Sequence, residues 1–172
     1  MTYSLKALAA STALTAAIAL PASADTIAEV ASDASQFSTL VAAVGAADLT
    51  ATLGDEGPFT VLAPNDEAFA KLPEGTVEML LMPENKDQLV EILSYHVIPG
   101  YVHGGTITAA ELDETDEEPL VFQTVQGQAI AFTESEIDNL PMVNDNAMIV
   151  ALDIEASNGL IHEIDTVLMP EG

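Results

Sequence analysis

The hydrophobic periodicity changes part-way along the chain, and that change constrains the fold more than any other feature. In the first hundred residues, apolar side chains recur at three- and four-residue spacing: Ile27 and Val30, then Phe37, Leu40, Val41 and Val44, then Leu89, Ile92 and Leu93, with His96 next on the same face. That spacing predicts amphipathic helices. Their signals are local. Ser35 is placed to cap the second helix and Gly45 to stop it, and Leu49 and Leu53 mark a short helix ending at Gly54. Asn65 caps "DEAFAKL", with Asp66 and Glu67 in the first turn, where acids complement the helix dipole. Asn85 and Gln88 approach a capping box before "LVEILSYH", and "IPG" ends that helix. "FTVLAP" interrupts this half as a strand with Phe59, Val61 and Ala63 on one face.

The second half reads differently. "PLVFQTVQGQAIAF", "PMVNDNAMIVAL" and "GLIHEIDTVLM" are rich in β-branched and aromatic residues, and "VQGQ", "NDNA" and "ASNG" punctuate them as turns. Helices precede strands, so the expected class is α+β.

The first 24 residues belong to export rather than to the fold. "MTYSLK" carries one positive charge, Ala7 to Leu20 are apolar, and Ala22 and Ala24 frame a small-residue cleavage site. This is the pattern of a secretory signal peptide, residues 1–24. It is shorter than the roughly 20 apolar residues of a membrane span, and its brevity fits a bacterium. No cysteine follows to carry a lipid, and "VLMPEG" is not an apolar tail, so the reading includes no stable membrane anchor. The expected product is exported, periplasmic or extracellular. Residues 25–172 suit one domain, long enough to bury a core. Without cysteine, that domain depends on packing.

Beyond the leader only Lys71 and Lys86 oppose 28 acidic residues, and there is no arginine. Phosphate contacts need cations, so this balance argues against nucleic acid and anionic lipid as partners. The simplest reading of the acids is self-repulsion that keeps the protein dispersed. Residues 111–118, "ELDETDEE", read as a solvated loop, because they lack the glycine and ligand spacing of a calcium loop.

Motifs of catalysis are missing. The chain contains no Gly-x-Ser-x-Gly elbow, no cysteine, no Ser-x-x-Lys and no phosphate-cradling glycine loop. The histidines, His96, His103 and His162, are scattered, with no His-x-x-x-His spacing for zinc. We therefore expect no enzyme, no metal and no cofactor. His96 reads as a buried organiser with Asp66 as its candidate partner, and Tyr95 as a packed ring whose hydroxyl reaches a polar edge. His162 reads as a strand histidine at the core rim, with Leu160 and Ile164 on its face. His103 reads as an exposed loop residue. Asn158-Gly159 reads as a hairpin turn tolerant of positive φ, and Met79 and Met82 as helix core.

Three stretches together resemble the fasciclin domain: "GPFTVLAPNDEAFAKLP" (57–73), "ILSYHVIPG" (92–100) and "NGLIHEIDTVLMP" (158–170), in order, spanning essentially all of 25–172. The resemblance implies a wedge-shaped β-sandwich of short strands with several helices packed at one side, the first and last blocks supplying neighbouring central strands. It places Asp66, His96, Asn158, Gly159, His162 and Asp165 in structural motifs. It implies no enzymatic activity but cell adhesion or matrix interaction. In animal members, integrin binding has been assigned to the tyrosine-histidine segment, here Tyr95 and His96, and to an aspartate-isoleucine pair, here Asp153 and Ile154. The implied partners are a cell-surface or matrix protein or a polysaccharide. Some algal members bind carotenoids, so a soluble carrier of an apolar small molecule is the alternative function.

Overall fold

The structure is a computed structural model that describes residues 25–54, 57–110, 119–134 and 140–170. The expected leader, the acidic run 111–118 and the last two residues lie outside them. Helices α1 (Ile27–Asp33), α2 (Ser38–Ala46) and α3 (Thr50–Gly54) lead into strand β1 (Phe59–Pro64). Helices α4 (Asp66–Ala70), α5 (Thr76–Leu80) and α6 (Lys86–Tyr95) follow, then β2 (Val97–Pro99) and α7 (Gly104–Ala110). Strands β3 (Leu120–Gln123), β4 (Ala129–Glu134), β5 (Pro141–Val143), β6 (Ala147–Ala156) and β7 (Gly159–Ile164) complete the chain.

Local chemistry accounts for much of this. Thr26 and Glu29 form a reciprocal capping box at the start of α1. Asn65 caps α4 by accepting from the Ala68 amide at 2.9 Å. Asn85, expected to cap α6, makes no cap bond. A 3-10 turn at Pro83–Asn85 runs directly into α6, and the Asn85 side-chain carboxamide instead donates to the Met79 carbonyl at 2.7 Å. The helix ends at Tyr95, before the "IPG" expected to stop it, and Ile98 and Pro99 of that run belong to the edge strand β2. Pro99 has no amide to donate, and an edge tolerates that.

The seven strands form one sheet in the order β2-β1-β7-β6-β5-β4-β3. All neighbours are antiparallel except β1 and β7, which are parallel from Phe59↔Gly159 to Pro64↔Ile164. The first and last blocks are thus central neighbours. The expected sandwich becomes a single curled sheet. The ten-residue β6 carries register irregularities between Ile149 and Ile154, so it bends and pairs with both halves. The curl brings the outer strands together: the Val125 amide, just past β3, donates to the Val97 carbonyl of β2 at 2.8 Å.

Two apolar layers result. Inside the curl, Leu62, Tyr95, Ile98, Ile130, Phe132, Val143 and Ile164 pack together. On the other side of β1 and β7, Val61, Ala63 and Ile161 pack against Ile27, Phe37, Leu40, Val44, Leu89 and Ile92 of the helices. Strand β1 is covered on both faces, as a strand with a parallel neighbour usually is. Met79 and Met82, expected in the core, are about half exposed, at 54% and 51%. The short α5 turns Leu80 inward and leaves both thioethers outside.

Candidate functional site

The tyrosine-histidine pair sits where α6 ends. Four carbonyls at a helix C-terminus lack intrahelical partners, and His96 caps one of them. Its Nδ1–H donates to the Ile92 carbonyl at 2.8 Å, and its Nε2 accepts from the Leu168 amide at 3.0 Å. Asp66 is not its partner. Both ring nitrogens are already used, and the Asp66 carboxylate accepts from the Thr39 amide in the first turn of α2 at 2.8 Å. His96 thus ties α6 to the C-terminal segment. Burial pushes its pKa down to about 4, against the opposing pull of the Ile92 carbonyl. Tyr95 is 4% exposed, with its ring inside the curl. Its hydroxyl accepts from the Asn144 carboxamide at 2.9 Å and lies 3.4 Å from the Ala129 carbonyl.

His162 is fully buried rather than at the core rim, because β7 is covered on both faces. Its Nε2–H donates to the Val102 carbonyl at 2.7 Å and its Nδ1 accepts from the Asp153 amide at 3.1 Å. Burial lowers its pKa, outweighing the Val102 carbonyl and the Asp153 charge, while His103 lowers it further. Asp153 lies in the irregular stretch of β6 with φ of 54°. Its side chain is directed to the start of α7, where it accepts from the Gly104 amide at 2.7 Å. Ile154 is partly buried against the helical layer. Tyr95 and Ile154 therefore pack into different layers, and among the described residues no hydrogen bond joins the Tyr95–His96 pair to Asp153–Ile154. His103 is exposed, as expected, and stacks on Tyr101 with centroids 5.9 Å apart.

Asn158 lies in the tight hairpin turn expected there, but the two turn residues are Ser157 and Asn158, Gly159 opens β7, and neither Asn158 nor Gly159 has positive φ. Asn158 is buried, accepts from the Ile27 amide at 2.9 Å and donates to the Leu53 carbonyl at 2.6 Å. It satisfies one unpaired group at the start of α1 and one at the end of α3. A glycine is needed at 159 because a Cβ there would collide with the Phe59 carbonyl oxygen of β1. Asp165 accepts from the Met148 amide at 2.9 Å and pairs with Lys71 at 2.7 Å. Burial would raise its pKa, but the Lys71 and Met148 hydrogen bonds hold it below the usual range. Lys86 is likewise paired, with Asp48.

Sequence reasoning located none of the concavities of the fold. An apolar crevice of about 80 Å³ lies between α1–α3 and the sheet, among Ile27, Ala31, Val44, Leu53, Val61 and Ile161, and none of its lining residues is charged at neutral pH. A wider polar cleft of about 820 Å³ opens where the β3–β4 and β5–β6 turns meet the C-terminal segment, over Tyr95, Gln128, Asn144, Asp145 and Asn146. The "NDN" run announced a turn. Nothing in it announced a cleft, because the C-terminal wall comes from residues more than twenty positions away.

The Fasciclin domain model matches residues 35–170. The chain belongs to the fasciclin family. It is 49% identical to protein sll1483 of Synechocystis sp. over 86% of this chain and 75% of that one. To transforming growth factor-beta-induced protein ig-h3 of Sus scrofa it is 37% identical, over 84% of this chain and 19% of that longer one. The fold resembles a solved FAS1 domain pair from the insect cell adhesion molecule Fasciclin I, with a TM-score of 0.72 and 17% identity. That match covers 86% of this chain and 51% of the pair, so this fasciclin protein spans about half of the solved chain.

Proposed function

We propose that this fasciclin protein is an exported, non-enzymatic interaction module that acts at the cell surface, in the periplasm or in a matrix. One observation carries the reading. The polar groups that first invited a chemical role are spent on the fold: His96 and His162 each use both ring nitrogens, and the Asp153 carboxylate holds the start of α7. A molecule whose interior polar groups are committed in this way acts through its surface. Family membership and the likeness to a cell adhesion molecule support the same reading. So does the outer face of β3–β6. The cross-strand register puts Val121, Ala131, Thr133, Met142, Met148 and Val150 on one uncharged face, with Val121 and Val150 more than half exposed. Contiguous apolar surface of that kind marks interaction sites. Tyr95 would contribute only its hydroxyl, and the exposed Asp153 would contribute a carboxylate edge beside the partly buried Ile154.

The test is adhesion of beads coated with residues 25–172 to cells and matrix of the source organism, across a salt series. We expect binding above that of beads coated with an equally acidic inert protein. Binding no better than that control at every salt concentration would sink the reading.

The apolar crevice supports one alternative, a carrier of an apolar small molecule such as a carotenoid. Its volume falls short of the roughly 300–1,000 Å³ of ordinary ligand sites, so such a carrier would have to part α1 from the sheet. Solvent extraction of protein purified from its own source separates the two: a stoichiometric apolar ligand favours the carrier, and an empty extract removes it.

A further inference from the structure

We propose that the polar cleft beside Tyr95 binds a neutral saccharide chain. The idea rests on the interaction-module reading and gives it a site and a partner chemistry. The cleft's volume of about 820 Å³ is that of a ligand site. Its polar lining consists of the carboxamides of Gln128, Asn144 and Asn146, the Asp145 carboxylate and the Tyr95 hydroxyl; Asn144 and Tyr95 are bonded to each other and to the Ala131 amide and the Ala129 carbonyl, so Asn146 and Asp145 carry the recognition. A carboxamide offers a donor and an acceptor side by side. Vicinal hydroxyls on a sugar ring need that combination, since each both donates and accepts. Ala129, Ala131 and Met169 supply methyl and thioether groups at its edge. These groups suit the C–H face of a pyranose and would be wasted on an ion.

Charge narrows the ligand. No cation lines the cleft, and both lysines of residues 25–172 are paired elsewhere, Lys71 with Asp165 and Lys86 with Asp48. A phosphate, sulfate or uronate would meet Asp145 with nothing to neutralise it. A neutral polyol meets no such penalty.

The cleft is also built in advance. Asn144 donates its backbone amide to the Ala131 carbonyl at 2.8 Å, accepts from the Ala131 amide at 2.9 Å and donates its carboxamide to Tyr95 at 2.9 Å. Asn144 and Asp145 have φ of 52° and 55°, a left-handed conformation that asparagine and aspartate tolerate in turns. The Asn144 bonds clamp the turn, and among the described residues the exposed Asp145 and Asn146 side chains have no hydrogen-bond partner. They are therefore available to a ligand without breaking anything, which limits the ordering cost of binding.

Titration calorimetry of residues 25–172 with cello-, malto- and manno-hexaose, and with a glucuronate oligomer of matched length, tests the idea. We expect saturable binding of at least one neutral hexaose. Asp145→Gly, which keeps the positive φ, and Asn146→Ala should each weaken it about three- to tenfold, the range for losing one hydrogen bond. Both residues are exposed, so melting should be unchanged. Three results would overturn the proposal: no saturable binding of any neutral hexaose up to about 10 mM, binding indifferent to both variants, or glucuronate bound as tightly as the neutral chains. Bead adhesion of the same variants keeps the two ideas apart. Adhesion that persists without saccharide binding refutes the cleft alone, while saccharide binding without adhesion refutes the module reading alone.

Discussion

His96→Ala is the most informative single change, because its cost follows from geometry and has a pH signature. The imidazole is 2% exposed and holds two buried partners, the Ile92 carbonyl and the Leu168 amide. Orphaning a buried polar group costs about 1–3 kcal/mol, and the vacated ring space adds to that, so we expect a loss of about 3–5 kcal/mol near pH 7.5. In a domain of this size that lowers Tm by roughly 6–20 °C. The pH dependence is sharper. The folded pKa lies at about 4 against 6.5 for an unperturbed histidine. Between those values the unfolded chain binds a proton that the folded one refuses, so stability falls as pH falls. The linkage penalty is absent above the unfolded pKa, reaches about 2 kcal/mol by pH 5 and about 3 kcal/mol at pH 4. The alanine variant has no such group. Its deficit relative to the parent should therefore shrink by about 2 kcal/mol between pH 7.5 and pH 5. The carboxylates titrate in both proteins and cancel in the difference. Urea unfolding followed by far-UV circular dichroism measures it, tryptophan fluorescence being ruled out in a chain without tryptophan. A deficit that stays constant with pH, or a variant as stable as the parent at pH 7.5, would refute the reasoning.

Gly159→Ala drives a methyl into the Phe59 carbonyl of the adjoining strand and should destabilise by about 3 kcal/mol or more; a melting temperature within 2 °C of the parent's, in the scale of about 2–4 °C per kcal/mol, would contradict the close-approach account. Asn158→Leu leaves the Ile27 amide and the Leu53 carbonyl without that partner, and hydrogen exchange should then quicken in α1 and α3 before the central strands. Asp165→Asn weakens a pair whose side chains are 27% and 52% exposed, so solvent screening keeps the ion-pair loss below about 1 kcal/mol. Asp165 has a lowered folded pKa, so its contribution is present above the unfolded carboxylate pKa and lost as pH falls through the folded one. The variant's deficit at neutral pH should accordingly vanish in acid, and a deficit that grows there would be the wrong sign.

Much of the architecture was legible because its signals are local. Helical spacing around Leu40–Val44 and Leu89–Leu93, the Asn65 cap, the alternation of "FTVLAP" and the turns at "VQGQ" and "NDNA" each depend on a few neighbouring residues, and each stands in the fold as read. Most of the errors share one origin. The expected Asp66–His96 pair, the positive φ expected at Asn158-Gly159 and the core placement of Met79 and Met82 concern what a residue meets from elsewhere in the chain, whereas the Asn85 cap failed locally, because a 3-10 turn runs directly into α6. Asp66 found the start of α2, Asn158 found two helix ends, and the methionines found solvent.

The same division runs through function. The sequence by itself determined an α+β order of elements and membership of the fasciclin family, and it raised the expectations of export and of a surface too acidic for anionic partners, because periodicity, composition and motif order are properties of the string. Only the tertiary structure decided that His96 and His162 are spent as neutral hydrogen-bonding hubs, that Tyr95 offers no more than a hydroxyl, and that Asn144–Asn146 face a cleft. Whether a polar group is free to act depends on burial and on partners: Leu168 lies 72 residues from His96 and Val102 lies 60 from His162. No local pattern encodes contacts of that range.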